Sequence, residues 1–120
     1  MTIISNILLG LVALLHFLFF ILETFLWTTP VGLKVFGHSQ ESALSSKVLA
    51  ANQGLYNFFL MAGIIWGAIH PIVIFGNQIK YFFLLCIVVA GVYGGITVGK
   101  KIFFIQAAPA LLGILFLILS

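Results

Sequence analysis

Long stretches almost free of charged residues are the feature that most limits what this chain can fold into. Of its 120 residues, 63% are hydrophobic and 6% are charged, whereas a soluble domain carries about 25% charged residues. A helix needs about 20 mostly apolar residues to cross a bilayer. The sequence therefore predicts an all-α, multi-pass protein of the cell membrane, with the lipid bilayer as its main partner.

The apolar stretches predict four spans in an up-and-down, four-helix bundle that forms a single domain. Pro30 disfavours helix in the residue before it and so ends the first span. Ser39 is a candidate N-cap for a second helix that begins near Gln40, ahead of the membrane. The run PIVIFGNQI is expected to be a connection, and Pro109 is expected to kink the fourth span near its start. The predicted spans are residues 3–27, 48–69, 80–99 and 102–119.

The five lysines predict how the bundle is oriented, since cytoplasmic connections carry an excess of basic residues. Four of the five lie in the first and third connections, which are therefore predicted to be cytoplasmic, with both termini on the extracytoplasmic side. The lysines flank apolar runs and do not form a basic face, so nucleic acid is not an expected partner. The four are Lys34, Lys47, Lys100 and Lys101, and the fifth is Lys80.

Polar side chains within the spans gather in the half of the bundle next to these basic connections. Glu23 lies late in the first span, and the run KVLAANQGLYN brings three carboxamides and a phenol into the second. Because the opposite half is almost wholly apolar, a polar pocket open to the cytoplasm is predicted, suited to a small amphipathic or lipid-like molecule. The predicted ligand-binding residues are His16, Glu23, Asn52, Gln53, Tyr56, Asn57, Tyr93 and Gln106.

The same polar groups also have plainer interpretations. Asn and Gln in membrane spans often join helices through hydrogen bonds worth about 0.6–2 kcal/mol. Glu23 is the only acidic residue within a span, and an ionisable group there suggests a function. Near Trp27, however, its carboxyl could instead reach headgroup water or pair with Lys47.

Enzymatic activity is left open by the sequence. Glu23 is the one convincing acid or base, with Tyr56 or Tyr93 as helpers, and no catalytic set is assigned. The three histidines have no metal-ligand spacing, so no metal site is predicted. No cofactor is predicted either.

Glycines form a second pattern. Gly91, Gly95 and Gly99 recur every four residues in the third span, and Gly63 and Gly67 have the same spacing in the second. Stripes of small residues let two helices approach closely. The sequence leaves open whether the partner helix lies in the same chain, in a second copy or in another membrane protein.

Four runs in the chain carry a resemblance to a known family. The runs ETFLWTTPVGLKVFG, KVLAANQGLYN, VAGVYGG and KIFFIQAAPALLG, in this order, resemble domain of unknown function family 1304, a family of small bacterial four-span membrane proteins. The likeness covers nearly the whole chain. It implies an integral membrane protein and supplies no activity.

Three functions remain open at the level of sequence. The first is binding of an amphipathic molecule in the polar pocket. The second is an accessory subunit that packs against another membrane protein through Gly91, Gly95 and Gly99. The third is a small proton-coupled transporter in which Glu23 exchanges a proton for a cation. In that respect the chain is similar to the small multidrug exporters, which have four short spans and an essential Glu in the first.

Overall fold

The computed structural model of the protein describes all 120 residues and is entirely helical. All helices except the short α2 are long and apolar enough to cross a membrane. The prediction of an all-α, multi-pass membrane protein with four spans is confirmed. The helices are α1 (Thr2–Thr24), α2 (Pro30–Phe36), α3 (Gln40–Ile69), α4 (Val73–Thr97) and α5 (Lys100–Ile118).

α1 ends earlier than the predicted first span because the chain turns into α2, a helix that the sequence analysis did not predict. The Thr29 hydroxyl donates to the Leu26 carbonyl at 2.8 Å and accepts from the Gly32 N–H at 3.5 Å, so it caps α2. Pro30 occupies the first turn of α2, where a missing N–H leaves no bond unmade. The helix ends at Gly37, whose left-handed φ of 65° suits glycine.

α3 begins at Gln40, as predicted, with Ser39 as its N-cap. The Ser39 hydroxyl accepts a hydrogen bond from the backbone N–H of Ser42 at 3.1 Å. The first two turns of α3 are mostly polar, and the mainly apolar part of the helix, which includes the run from Asn52 to Asn57, follows from Val48 onward. α3 is therefore longer than the span predicted within it.

α4 begins at Val73, which corrects the prediction that residues 71–79 form a connection. The turn between α3 and α4 is short because the His70 side chain closes it, with Nδ1 accepting from the Ile72 N–H at 3.1 Å. The apolar residues after this turn are then free to continue as helix. Lys80 consequently lies inside α4, where its side-chain stem packs beside Gly67.

α5 contains a wide turn ahead of Pro109. Residues Phe103–Ala107 form a π-helical turn between two α-helical segments, and the Ala108 N–H donates to the Phe103 carbonyl. Proline lacks an N–H and its ring crowds the preceding turn, which disfavours regular α-helix there. The disturbance predicted from Pro109 takes the form of this π turn.

The chain divides into two compact units, one of which comprises residues 1–14 and 60–120. All four long helices contribute residues to the apolar core of this unit. Its buried core residues are Leu9, Val12, Ile64, Leu84, Ile87, Ala110 and Leu117.

In this unit the glycine stripe of α4 packs against α5 of the same chain. A Cβ atom on Gly91 would lie 2.6 Å from the backbone nitrogen of Ala107, and one on Gly95 would lie 2.8 Å from Cβ of Phe103. Gly99 has nothing within 4 Å of its Cβ position and takes no part in this contact. The faces of Gly91 and Gly95 are therefore occupied within the chain, and docking of another protein on them is not proposed.

The glycines of α3 let α4 approach in the same way. Gly63 lies against the ring of Phe83. A Cβ on Gly67 would lie 2.9 Å from the carbonyl oxygen of Gly76, so the two backbones nearly touch beside the connecting turn. Both glycines therefore serve helix packing within the chain.

The second compact unit comprises residues 15–59: the end of α1, all of α2 and the first part of α3. Aromatic rings pack within it, with Phe20 and Phe58 at a centroid distance of 5.0 Å. Gly54 brings α3 close to α1, since a Cβ there would lie 3.1 Å from the Phe20 carbonyl oxygen. This unit contains most of the polar side chains that the sequence singled out.

Candidate functional site

A groove with a volume of about 310 Å³ lies in the unit of residues 15–59, between the end of α1 and the first part of α3. Its volume is at the lower end of the range for small-molecule sites, about 300–1,000 Å³. The groove combines charged, hydroxyl and aromatic side chains. It is lined by Glu23, Thr24, Phe25, Trp27, Thr28, Lys47, Val48 and Ala51.

The Glu23 carboxyl is held in place by a buried partner on α3. The Asn57 side chain, only 6% exposed, donates from Nδ2 to Oε1 of Glu23. This bond satisfies a polar side chain that would otherwise be costly to bury. Asn57 bonds to Oε1 and leaves Oε2 without this donor. Because every buried side-chain oxygen in the structure has a hydrogen-bond partner, Oε2 is an oxygen that is not fully buried and remains accessible.

Lys47 lines the same groove as Glu23 but is not its partner. No ion pair joins the two side chains, which differs from the plainer interpretation in which Lys47 neutralises Glu23. The groove therefore presents a carboxyl and an ammonium group that are not paired with each other.

A second side-chain bond joins α1 to α3 next to Glu23. The Thr24 hydroxyl donates to the backbone carbonyl of Ala51 at 3.2 Å. A Cβ on Gly54 would overlap the Thr24 hydroxyl and lie 3.1 Å from Cβ of Glu23. Glycine at position 54 thus sets the distance between the helices at the base of the groove.

Trp27 is fixed by contacts on several sides. Its indole N–H donates to the Ser46 hydroxyl at 3.0 Å. The indole ring packs against Phe36 at 4.7 Å and edge-on against His38 at 4.4 Å, measured between ring centroids. His38 Nε2 also lies 3.4 Å from the Trp27 carbonyl oxygen. These contacts hold Trp27 in the groove wall.

Several of these residues were missed by sequence reasoning as parts of a site. Thr24, Trp27, Lys47 and Ala51 line the groove, whereas Trp27 was not assigned to a site and Lys47 was interpreted as an orientation signal and as a possible partner of Glu23. The clue available in the sequence was their spacing, because an antiparallel pair of helices places the end of α1 beside the start of α3.

The predicted binding residues are only partly brought together. Glu23 lines the groove and Asn57 holds it, but Asn52, Gln53 and Tyr56 are exposed on α3 and do not line it. The carboxamides of α3 are therefore divided, since Asn57 points into the unit and the other two away from it.

The remaining predicted residues also lie outside this groove. His16 is buried, with its ring edge-on to Phe19 at a centroid distance of 6.0 Å. Tyr93 and Gln106 belong to the other unit. Tyr93 is exposed, with its carbonyl accepting from the Thr97 hydroxyl at 2.8 Å, and Gln106 is half-buried in the π turn.

The unit of residues 1–14 and 60–120 has a groove of its own, with a volume of about 220 Å³. No charged side chain lines it, and Asn6 is its one polar side chain. The others are Leu9, Gly10, Ala13, Ile64, Ile65 and Ala68. No group of three or more His, Cys, Asp or Glu side chains in the structure could hold a metal ion.

Two comparisons with known proteins return matches. The sequence pattern of a family described as "Protein of unknown function (DUF1304)" matches residues 10–118. The chain is also similar to "Uncharacterized protein YpaA" of Lactococcus lactis subsp. lactis (strain IL1403), with 33% identity over 120 residues that cover 96% of this chain and 97% of that protein. No solved structure matches. Neither description assigns an activity, so function has to be inferred from the groove.

Proposed function

The chain belongs to the DUF1304 family, and we propose that it binds an amphipathic, lipid-like molecule in the groove of residues 15–59. One observation carries the proposal: Glu23 and Lys47 line this groove without being paired with each other. An acidic and a basic side chain that are not paired with each other offer a polar head group two points of attachment. An ionisable side chain within a membrane helix is costly and is usually retained for a function.

The bond between Asn57 and Glu23 has a second role that does not require a ligand. Taken alone, it would join α1 to α3, as carboxamides in membrane spans often do. Joining the helices does not require the same carboxyl to line a groove that also contains Lys47. We therefore assign Asn57 a positioning role, in which it holds Oε1 of Glu23 and leaves Oε2 for the ligand.

Apolar side chains of the groove suit the tail of such a molecule. Phe25 and Val48 both line the groove, and they are 63% and 77% exposed. Trp27 is a residue type enriched where membrane meets water, so the groove is expected at headgroup depth. A head group then fits between the charges, while the tail continues into the surrounding bilayer.

The lysine distribution supports placing the groove on the cytoplasmic side, with both chain termini outside. Fusions at the C-terminus test this orientation. Alkaline phosphatase joined there should be active and a fluorescent protein dark. The opposite pair of results would place the groove at the outer surface.

Native mass spectrometry of the protein in a mild maltoside detergent tests the proposed function, after incubation with a total membrane lipid extract. Ala51→Phe fills the groove without changing a charge, and Ala90→Phe adds the same ring at an exposed position of α4. Wild type and Ala90→Phe should retain a small molecule that Ala51→Phe loses. Equal retention in all three proteins, or none in any, would overturn the proposal.

A further inference from the structure

The two charges of the groove lie at different levels along α3. Lys47 belongs to the second turn of the helix, whereas the Glu23 carboxyl is bonded to Asn57, ten residues further on. On α3 the groove is lined from Lys47 to Ala51, about 6 Å at a rise of 1.5 Å per residue, and Glu23 lies beyond Ala51, towards Asn57. The groove therefore has a cationic end and an anionic end.

The cationic end is the one nearer to water. α3 has 30 residues and is about 45 Å long, which exceeds the hydrocarbon thickness of about 30 Å. Six of its first eight residues are polar, so this end is expected to project from the membrane. Exposed or half-buried polar side chains dominate it: Gln40, Glu41, Ser42, Ser45, Ser46 and Lys47. The Glu23 carboxyl, which is bonded to Asn57, lies further along α3 than Lys47 and so nearer to the hydrocarbon.

From this order we infer that the groove selects amphiphiles whose cationic nitrogen lies next to the tail and whose anionic group is at the tip. The nitrogen then meets Glu23, and a terminal phosphate, sulfonate or carboxylate meets Lys47. This selectivity rests on the proposed function and adds the chemical class of its ligand.

The common zwitterionic phospholipids carry their charges in the reverse order, with phosphate next to the apolar part and the amine at the tip. In the groove they would bring phosphate towards Glu23 and the amine towards Lys47. Like charges placed close together repel, and such repulsion is one way in which a binding site rejects a competing ligand. The order of charges therefore distinguishes the ligand from the bulk lipid around the protein.

Two zwitterionic detergents with the same tail form a matched pair of probes. Dodecyl sulfobetaine has its ammonium next to the tail and a sulfonate at the tip, whereas dodecylphosphocholine has the reverse order. The reporter is Trp27, which lines the groove, in a Trp66→Phe background that removes the only other tryptophan. Each probe is added stepwise to the protein in maltoside micelles. Trp27 emission is recorded at the same series of probe mole fractions for both detergents.

The sulfobetaine should reach half-saturation at a mole fraction about threefold lower, since contacts between partly exposed charges are individually weak. Glu23→Gln keeps an oxygen that can accept from Asn57 while removing the charge, so it should abolish the preference without unfolding the protein. Lys47→Gln should do the same. Glu41→Gln and Lys34→Gln remove exposed charges outside the groove and should leave the preference unchanged.

The possible outcomes separate this inference from the proposed function. Equal binding of the two probes, or tighter binding of dodecylphosphocholine, would overturn the selectivity and leave the groove as a binding site. Loss of the preference in Glu41→Gln as well would show that net charge, and not the groove, decides it. Failure of both probes to change Trp27 emission saturably would contradict both proposals. If the sulfobetaine head group without its tail binds as tightly as dodecyl sulfobetaine, the proposal of an amphipathic ligand is overturned in favour of a soluble zwitterion.

Discussion

The two compact units of this chain are stabilised by different kinds of contact. In residues 15–59, the end of α1 and the turn after it are joined to α3 by side-chain hydrogen bonds of Thr24, Trp27 and Asn57. In residues 1–14 and 60–120, the helices pack through apolar side chains and close glycine contacts such as that of Gly91. Each unit has a groove, but only the one among the hydrogen-bonded side chains is lined by charges. Side chains that hold helices together through polar groups can also present those groups to a ligand.

The comparison predicts the largest loss of stability for a substitution in the glycine-packed unit. Gly91→Leu forces a side chain into the backbone of Ala107 and should lower the free energy of unfolding by about 3 kcal/mol. Unfolding in mixed micelles with increasing dodecyl sulfate, followed by circular dichroism, measures this. The control is Gly10→Ala, because nothing lies within 4 Å of its Cβ position. Equal stability of the two variants would show that the α4–α5 contact is not close.

A smaller loss is predicted for the central hydrogen bond of the other unit. Asn57→Leu keeps the size of the side chain but removes the donor to Glu23, which should cost about 2 kcal/mol of unfolding free energy. The same titration measures it, with Asn52→Leu as the control because Asn52 is exposed. A larger loss for Asn52→Leu would mean that the exposed carboxamide makes the more important contact.

The bond between Trp27 and Ser46 should contribute less than the Asn57 bond because Ser46 is only half-buried. Ser46→Ala leaves the indole N–H without its acceptor and should lower the unfolding free energy by about 1 kcal/mol. The expected companion change is a shift in Trp27 emission in the Trp66→Phe background. Ser45→Ala, at an exposed neighbour, should change neither quantity.

The smallest effect is predicted at the N-cap of α3. Ser39→Ala removes the acceptor for the Ser42 N–H and should cost about 0.5 kcal/mol, the low end for exposed caps. Hydrogen exchange of the first turn of α3 is a more sensitive measure than global unfolding, and exchange should quicken there. Ser42→Ala keeps the backbone donor and serves as the control. Faster exchange in both variants would contradict a specific cap.

Much of the fold could be predicted because the signals for it are local in the sequence: apolar stretches mark the spans, and capping residues mark where helices begin. The four apolar helices, the start of α3 at Gln40 and the disturbance before Pro109 all follow from such signals. The start of α4 could not be predicted in this way. It depends on the His70 side chain closing a three-residue turn, which frees the following apolar residues to be helical.

The candidate site was predictable in kind and less so in detail. Glu23 stood out as the one acidic residue in a span, but which carboxamide would meet it depends on how far α3 is rotated about its axis. The polar stretch from Asn52 to Asn57 covers an arc of about 140° at 100° per residue, and packing at Gly54 selects Asn57. Lys47 and Trp27 join the site only because the helices run side by side.

The π turn of α5 also has a consequence for how the family can vary in length. Such a turn holds one residue more than an α-turn, and it lies between two regular helical segments. Deleting a single residue from Phe103–Ala107 closes it to ordinary α-helix only where Pro109 is replaced as well, because proline disfavours a regular turn before it. Relatives with one residue fewer in the fourth span are therefore expected to lack both that residue and the proline.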